Sequence, residues 1–190
     1  MGRAYYYFAA TLPMLDFDGP PPLGMEAFLQ SAERMLSAGD YRQVLSAVTS
    51  TSLFAPIAFL RAWQEFELHL RNEQVASRAA DLHKDPQDFI RGDKGYEPRV
   101  HQAVAAAAKA EHPLAGERIF DRLRWQQLDE MLLGHYFDLE FLIAYAVKLQ
   151  ILERYHKISG DRGREIFSSY KEALVGEKLS HVYKDFEKAT

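Results

Sequence analysis

The stretch "WQEFELHLRNEQVASRAADLHKDP", from Trp63 to Pro86, constrains the fold more than any other part of the chain. Phe59, Trp63, Phe66 and Leu70 recur at spacings of four and three, and so do Leu68, Asn72, Val75, Ala79 and Leu82. Such spacings gather side chains on one face of an α-helix but scatter them over both faces of a strand. The two stripes are adjacent, which predicts a helix apolar over nearly half its circumference. It starts near "TSTSLFAP", where Pro56 fits the first turn because no backbone donor is lost there. It runs to Leu82 and ends before Pro86.

The rest of the chain reads the same way. "MEAFLQSAERML" predicts a helix with Phe28, Met35 and Leu36 inward, and "YRQVLSAV" a short helix after Asp40 as N-cap. "RVHQAVAAAAKAEH" is a helix of small residues whose alanines allow a neighbour to come close, ended by Pro113. From "GERIF" to "HKIS" the periodicity is helical almost throughout, with a bend at Gly134, and "DRGREIFSSYKEALVGEKLSHVYKDFEKAT" supplies one or two closing amphipathic helices. The tyrosine-rich "YYYFAAT" is a short strand or a helical turn, with its tyrosines buried, and "DFDGPPPLG" stops it. No Asn-Gly hairpin signal lies between alternating strands. The expectation is an all-α protein of amphipathic helices packed as an irregular bundle, one domain over 1–190. The polar loop 84–98 is the candidate boundary between two lobes.

Charge and cysteine usage remove whole classes of function. The 23 Lys and Arg against 27 Asp and Glu leave a net charge of −4, so no global basic field attracts nucleic acid or an anionic membrane. The absence of cysteine excludes structural disulfides, thiolate zinc sites, iron–sulfur clusters and a cysteine nucleophile. The N-terminus lacks the aliphatic core of a signal peptide, and no window offers the roughly 18 apolar residues of a membrane span. No Walker A loop and no G-x-S-x-G elbow occurs.

Two features invite chemistry. "ERYH" sets Glu153 and His156 at the E-x-x-H spacing of carboxylate-bridged di-iron bundles, which need a second such pair and two more inward glutamates. "DLHKD", with Asp81, His83 and Asp85, offers ligands at a helix end, where a solvated cap is the better reading. Glu111 and His112 stand at the end of the alanine helix, where an imidazole interacts well with the last carbonyls. His135, among apolar residues, reads as a satisfied core histidine.

Asn72 is the exception in an otherwise apolar seam. An unpaired buried amide costs about 1–3 kcal/mol, so the side chain is either paired or at the edge of the stripe in water. A polar residue in such a seam trades stability for register and choice of partner. Arg71 and Arg78 flank it, and Glu67 and Glu73 are their simplest ion-pair partners.

"YYYFAATLPML", "LRNEQVASRAADL" and "YFDLEFLIAYAVKLQILERY" together resemble an uncharacterised bacterial family encoded beside subunits of V-type ATPases. The first helix pattern falls on Leu70, Arg71, Asn72, Glu73, Arg78 and Ala79; the second on Tyr136, Phe137, Asp138, Leu139, Tyr145, Lys148 and Leu149. A looser similarity, through Leu128, Asp129, Tyr136 and Phe137, reaches the ATPase's C/d-type subunit, an all-helical, non-catalytic protein that sits on the rotor ring and receives the central axle. That subunit is considerably longer. The resemblance implies a non-catalytic, cytoplasmic interaction protein without cofactor. It would be an accessory or C/d-like component of a bacterial V-type ATPase, acting in assembly or rotor coupling and peripheral to the membrane through that complex. Arg71, Asn72 and Arg78 would dock the partner, with Asp138 and Lys148 as a second patch. A di-iron-like metalloprotein using Glu153 and His156, or a regulatory scaffold unrelated to the ATPase, is the alternative.

Overall fold

A computed structural model describes residues 5–49, 57–92, 95 and 97–159. The expected closing helices after Ser159 and the expected helix start around Pro56 lie outside the described residues. Among those described, seven α-helices and one 3₁₀ turn follow one another: α1 Tyr6–Thr11, α2 Met25–Met35, α3 Ala38–Thr49, α4 Ala58–Asp81, the turn Pro86–Asp88, α5 Pro98–Ala108, α6 Pro113–Met131 and α7 Leu139–Ser159. The chain divides into a compact unit, Met1–Leu152, and a second, Glu153–Thr190. The loop 84–98 lies within the first.

Within that unit α7 is the central element. Ile143, Ala144, Tyr145, Ala146 and Val147 are all buried in succession, so the helix is covered on every side. Tyr145 stacks on Phe28 of α2, at 5.4 Å between ring centroids, and Phe28 stacks on Phe8 of α1 at 5.8 Å. This offset ladder of rings ties the N-terminal helices to the core. The α4 helix has the one-sided character that its sequence predicts, with Phe59, Trp63, Phe66, Leu70 and Ala79 buried and Arg61, Glu65 and Arg71 outside.

Local chemistry sets several boundaries differently from the sequence reading. "YYYFAAT" is a helix, and Phe8 is its inward ring, while Tyr6 and Tyr7 are exposed. Met35 is also outside; Ala32, four residues after Phe28, takes the inward place. Ser37, not Asp40, opens α3: the Asp40 amide donates to Ser37 Oγ (3.2 Å) and Ser37 Oγ donates to the Asp40 carboxylate (2.8 Å). Ser37 thus acts as the N-cap through its hydroxyl, while its own backbone N–H donates to the Tyr5 hydroxyl at 3.5 Å. Leu82 ends α4 and stands exposed.

Pro113 begins α6 rather than ending α5, and His112 is its N-cap, Nδ1 accepting from the Ala115 amide at 3.0 Å. Helix α5 packs on both α4 and α6. The approach to α6 is close: a Cβ on Gly116 would lie 3.2 Å from the Ala107 carbonyl oxygen, so the small residues expected to admit a neighbour do so here. At Gly134, φ reaches +91° and the chain leaves the helix altogether, so the expected bend is a full break between α6 and α7.

Candidate functional site

Asn72 is 2% exposed, and both ends of its amide are engaged. Its Nδ2 donates to the Arg91 carbonyl (2.8 Å), and the Arg91 amide donates to its Oδ1 (3.1 Å). A primary amide thus pairs with the backbone donor and acceptor of one loop residue, as a strand neighbour would. Asn72 therefore clamps the loop after the 3₁₀ turn onto α4. At 2% exposure it presents little surface to a docking partner.

Arg71 and Arg78 stand differently. Both are exposed. The two carboxylates expected to neutralise them are engaged elsewhere. Arg124 of α6 donates to Glu67 through Nε at 2.7 Å and Nη2 at 3.4 Å, and His101 of α5 meets Glu73 at 2.6 Å. Arg124, Glu67 and the buried Asp121 form a half-dry cluster between α4 and α6. Burial alone would lower the Arg124 guanidinium's proton affinity, but the charge and hydrogen bonds of Glu67, with Asp121, outweigh it and hold the pKa above its ordinary value. Arg71 borders a cleft of about 310 Å³ whose lining includes Ala47, Leu60, Trp63 and Leu68.

Asp138 caps α7. Its Oδ1 accepts from the Phe141 amide (3.1 Å), and its Oδ2 accepts from His135 Nδ1 (2.6 Å). With Glu140 these residues are the one group of His and carboxylates, among the described residues, that brings three ligand-competent atoms within 4.8 Å. One Asp138 oxygen caps the helix and the other holds the His135 ring, so the arrangement reads as a helix start. The ring of His135 stands edge-on to Phe59 at 6.1 Å. Glu153 and His156 do not assemble a metal site among the described residues: Lys157 donates to Glu153 at 3.0 Å, and His156 is exposed. Asp85 caps the 3₁₀ turn, accepting from Gln87 at 2.9 Å.

Lys148 lies in the most site-like part of the molecule. Its side chain is 10% exposed, its ammonium donates to Asp129 and faces the Trp125 ring at 5.0 Å. Asp129 reaches it from solvent, 56% exposed. The extended segment after α1 runs over this region as a strap. Tyr145 donates to the Pro13 carbonyl at 2.9 Å, and burial pushes its phenol up to about 12. Phe17 is buried with its ring edge-on to Trp125 and the guanidiniums of Arg118 and Arg122 over it at 3.6 and 4.2 Å. On either side of Met14 and Leu15 opens a cleft, one of about 360 Å³ and one of about 520 Å³, both bordered by Trp125 and Asp129. Sequence reasoning found Lys148 but not Trp125 or the strap. The i,i+4 pair Arg118 and Arg122 was a legible signal for one shared target on α6; what they share, more than a hundred residues earlier, was not.

Residues 99–177 match the model of a family described as "Protein of unknown function (DUF2764)", which among the described residues covers most of α5 and all of α6 and α7. No curated protein and no solved structure matches the chain. No described helix is long and apolar enough to cross a membrane.

Proposed function

We propose that this chain is a non-catalytic interaction protein, an accessory or C/d-like component of a bacterial V-type ATPase that acts in assembly or rotor coupling. One observation carries the docking part of this reading. Arg71 and Arg78 lie two turns apart on α4, both exposed, with Arg71 at the border of a cleft lined in part by Leu60, Trp63 and Leu68, while Glu67 and Glu73 are engaged by Arg124 and His101. Two arginines about 10 Å apart along one helix face suit an acidic helix of a partner, and arginine is favoured at such interfaces for its planar, multivalent donors. The partner named in this proposal rests on the resemblance to proteins encoded with V-type ATPase subunits. The protein would then be cytoplasmic and peripheral to the membrane through the complex.

The test is capture of partners from gently solubilised source membranes by tagged wild-type protein and by the charge reversal R71E/R78E. Wild type is expected to recover V-type ATPase subunits in stable proportion, and the folded variant to lose them. Recovery of no ATPase subunit by wild type would leave a scaffold unrelated to the ATPase. Equal capture by the variant would remove the α4 face from the interface.

A further inference from the structure

We propose that the cleft beneath the strap binds a small aliphatic monocarboxylate, its head group on Lys148 in place of Asp129 and its chain along Leu12, Leu15, Leu132 and Phe141. The cleft's volume, about 360 Å³, sits at the low end of the range for small-molecule sites, which run from about 300 to 1,000 Å³. Most of its lining is apolar, and the Lys148–Asp129 pair beside Trp125 supplies its charge, the combination that orients an amphipathic ligand.

Charge selects the head group. The Lys148 ammonium has three donors, and the one hydrogen bond it makes among the described residues goes to Asp129. That carboxylate is more than half exposed and returns to water at little cost, so an incoming carboxylate replaces it with like chemistry. An amine head group would have to sit beside a nine-tenths buried ammonium. A phosphate dianion would meet the displaced Asp129, and on the adjoining cleft Asp16 and Asp18 outnumber Arg122, which is already paired with Asp18. A single negative charge on an apolar chain fits both constraints. The Trp125 ring, already against the ammonium, closes the polar end from the other side. This inference is independent of the α4 docking face, so either can fail without the other.

The experiment is calorimetric titration of the full chain with octanoate, with octanol and octylamine as chain-matched probes. Saturable one-to-one binding of octanoate alone is expected. Lys148→Met should weaken it about tenfold or more, the effect of losing one charge-assisted hydrogen bond. Asp129→Asn should strengthen it several-fold by removing the competing carboxylate, a gain that a merely structural Asp129 would not give. Octanol binding as tightly as octanoate would overturn the proposal, as would no saturable binding or unchanged affinity in folded Lys148→Met. Should Lys148→Met fail to fold, the direction of the Asp129→Asn effect decides, and a loss of affinity there overturns the proposal.

Discussion

Asn72 and Lys148 make the most instructive pair in the molecule. Both are polar, both sit in helices, and both are almost fully buried, at 2% and 8% exposure. Asn72 meets two backbone groups of Arg91, which belong to the fold and cannot leave without opening the loop. Lys148 meets one carboxylate on a side chain that stands mostly in water. The first pairing is closed: its partners are backbone groups fixed in the chain, and both the donor and the acceptor end of the amide are engaged. The second is open at both ends, with donors to spare on the ammonium and a partner free to turn away. Burial alone therefore does not separate structural polar groups from available ones. The exposure of the partner does.

The sharpest way to break this comparison is to replace Asn72. Asn72→Leu keeps the volume and apolar character of the seam but leaves the Arg91 amide and carbonyl without their partner. Two hydrogen bonds worth roughly 1 kcal/mol each are lost, and loop hydration recovers part of that, so a destabilisation of about 1–3 kcal/mol is expected in denaturant unfolding. Hydrogen exchange at the Arg91 amide should accelerate beyond what the global loss explains, because the loop opens first. A neutral substitution would show that water serves Arg91 as well as Asn72 does, and the clamp would lose its meaning.

Tyr145 extends the closed class to α7, where its hydroxyl donates to the Pro13 carbonyl. Tyr145→Phe should cost about 1 kcal/mol, the net value of one hydrogen bond. The pH dependence gives a second reading. Burial raises the folded-state pKa from 10.0 to about 12, so the neutral phenol is the form the fold favours. The associated stability is fully present below pH 10 and is lost as pH rises through 12. Wild type should therefore weaken over that interval relative to Tyr145→Phe, and the two unfolding curves should converge. Parallel curves would mean that the phenol is solvated in the folded protein.

What the sequence disclosed follows the same division. Periodicity exposed the helices, because spacing of three and four is a local property: the stripe Phe59, Trp63, Phe66 and Leu70 of α4 was legible, and so was the all-α class, while buried Leu60 was missed and Leu68 and Val75 are only half-buried. Caps were partly legible. The spacing of Ser37 and Asp40 fits a cap at Ser37 as well as one at Asp40, and His112–Pro113 fits a helix end as well as a helix start, because imidazoles also favour C-termini. The alanine run of α5 foretold its close packing. Long-range pairings were not legible. Arg91 lies 19 residues from Asn72, and Asp129 lies 19 from Lys148, across a break in the helix that periodicity alone could not see. The expected ion pairs of Arg71 and Arg78 failed for this reason: local spacing offered Glu67 and Glu73, and tertiary packing gave both carboxylates to other helices.

The smallest expected effect is the most telling. Lys148→Met removes the ammonium and keeps an unbranched chain of similar length against Trp125, so the packing survives. Asp129, already more than half exposed, loses a partner and gains water, at no great cost. The expected change in stability is within about 1 kcal/mol. Removing the other member should cost more, since Asp129→Ala leaves a nine-tenths buried ammonium without its counter-charge, and a stranded buried charge is the expensive half of a broken pair. The comparison thus predicts an asymmetry: the buried member is dispensable and the exposed member is not. Equal losses from both substitutions would make Lys148–Asp129 an ordinary structural pair. A large loss from Lys148→Met would place the ammonium in the closed class beside Asn72, and the cleft would then have no free donor to give a ligand.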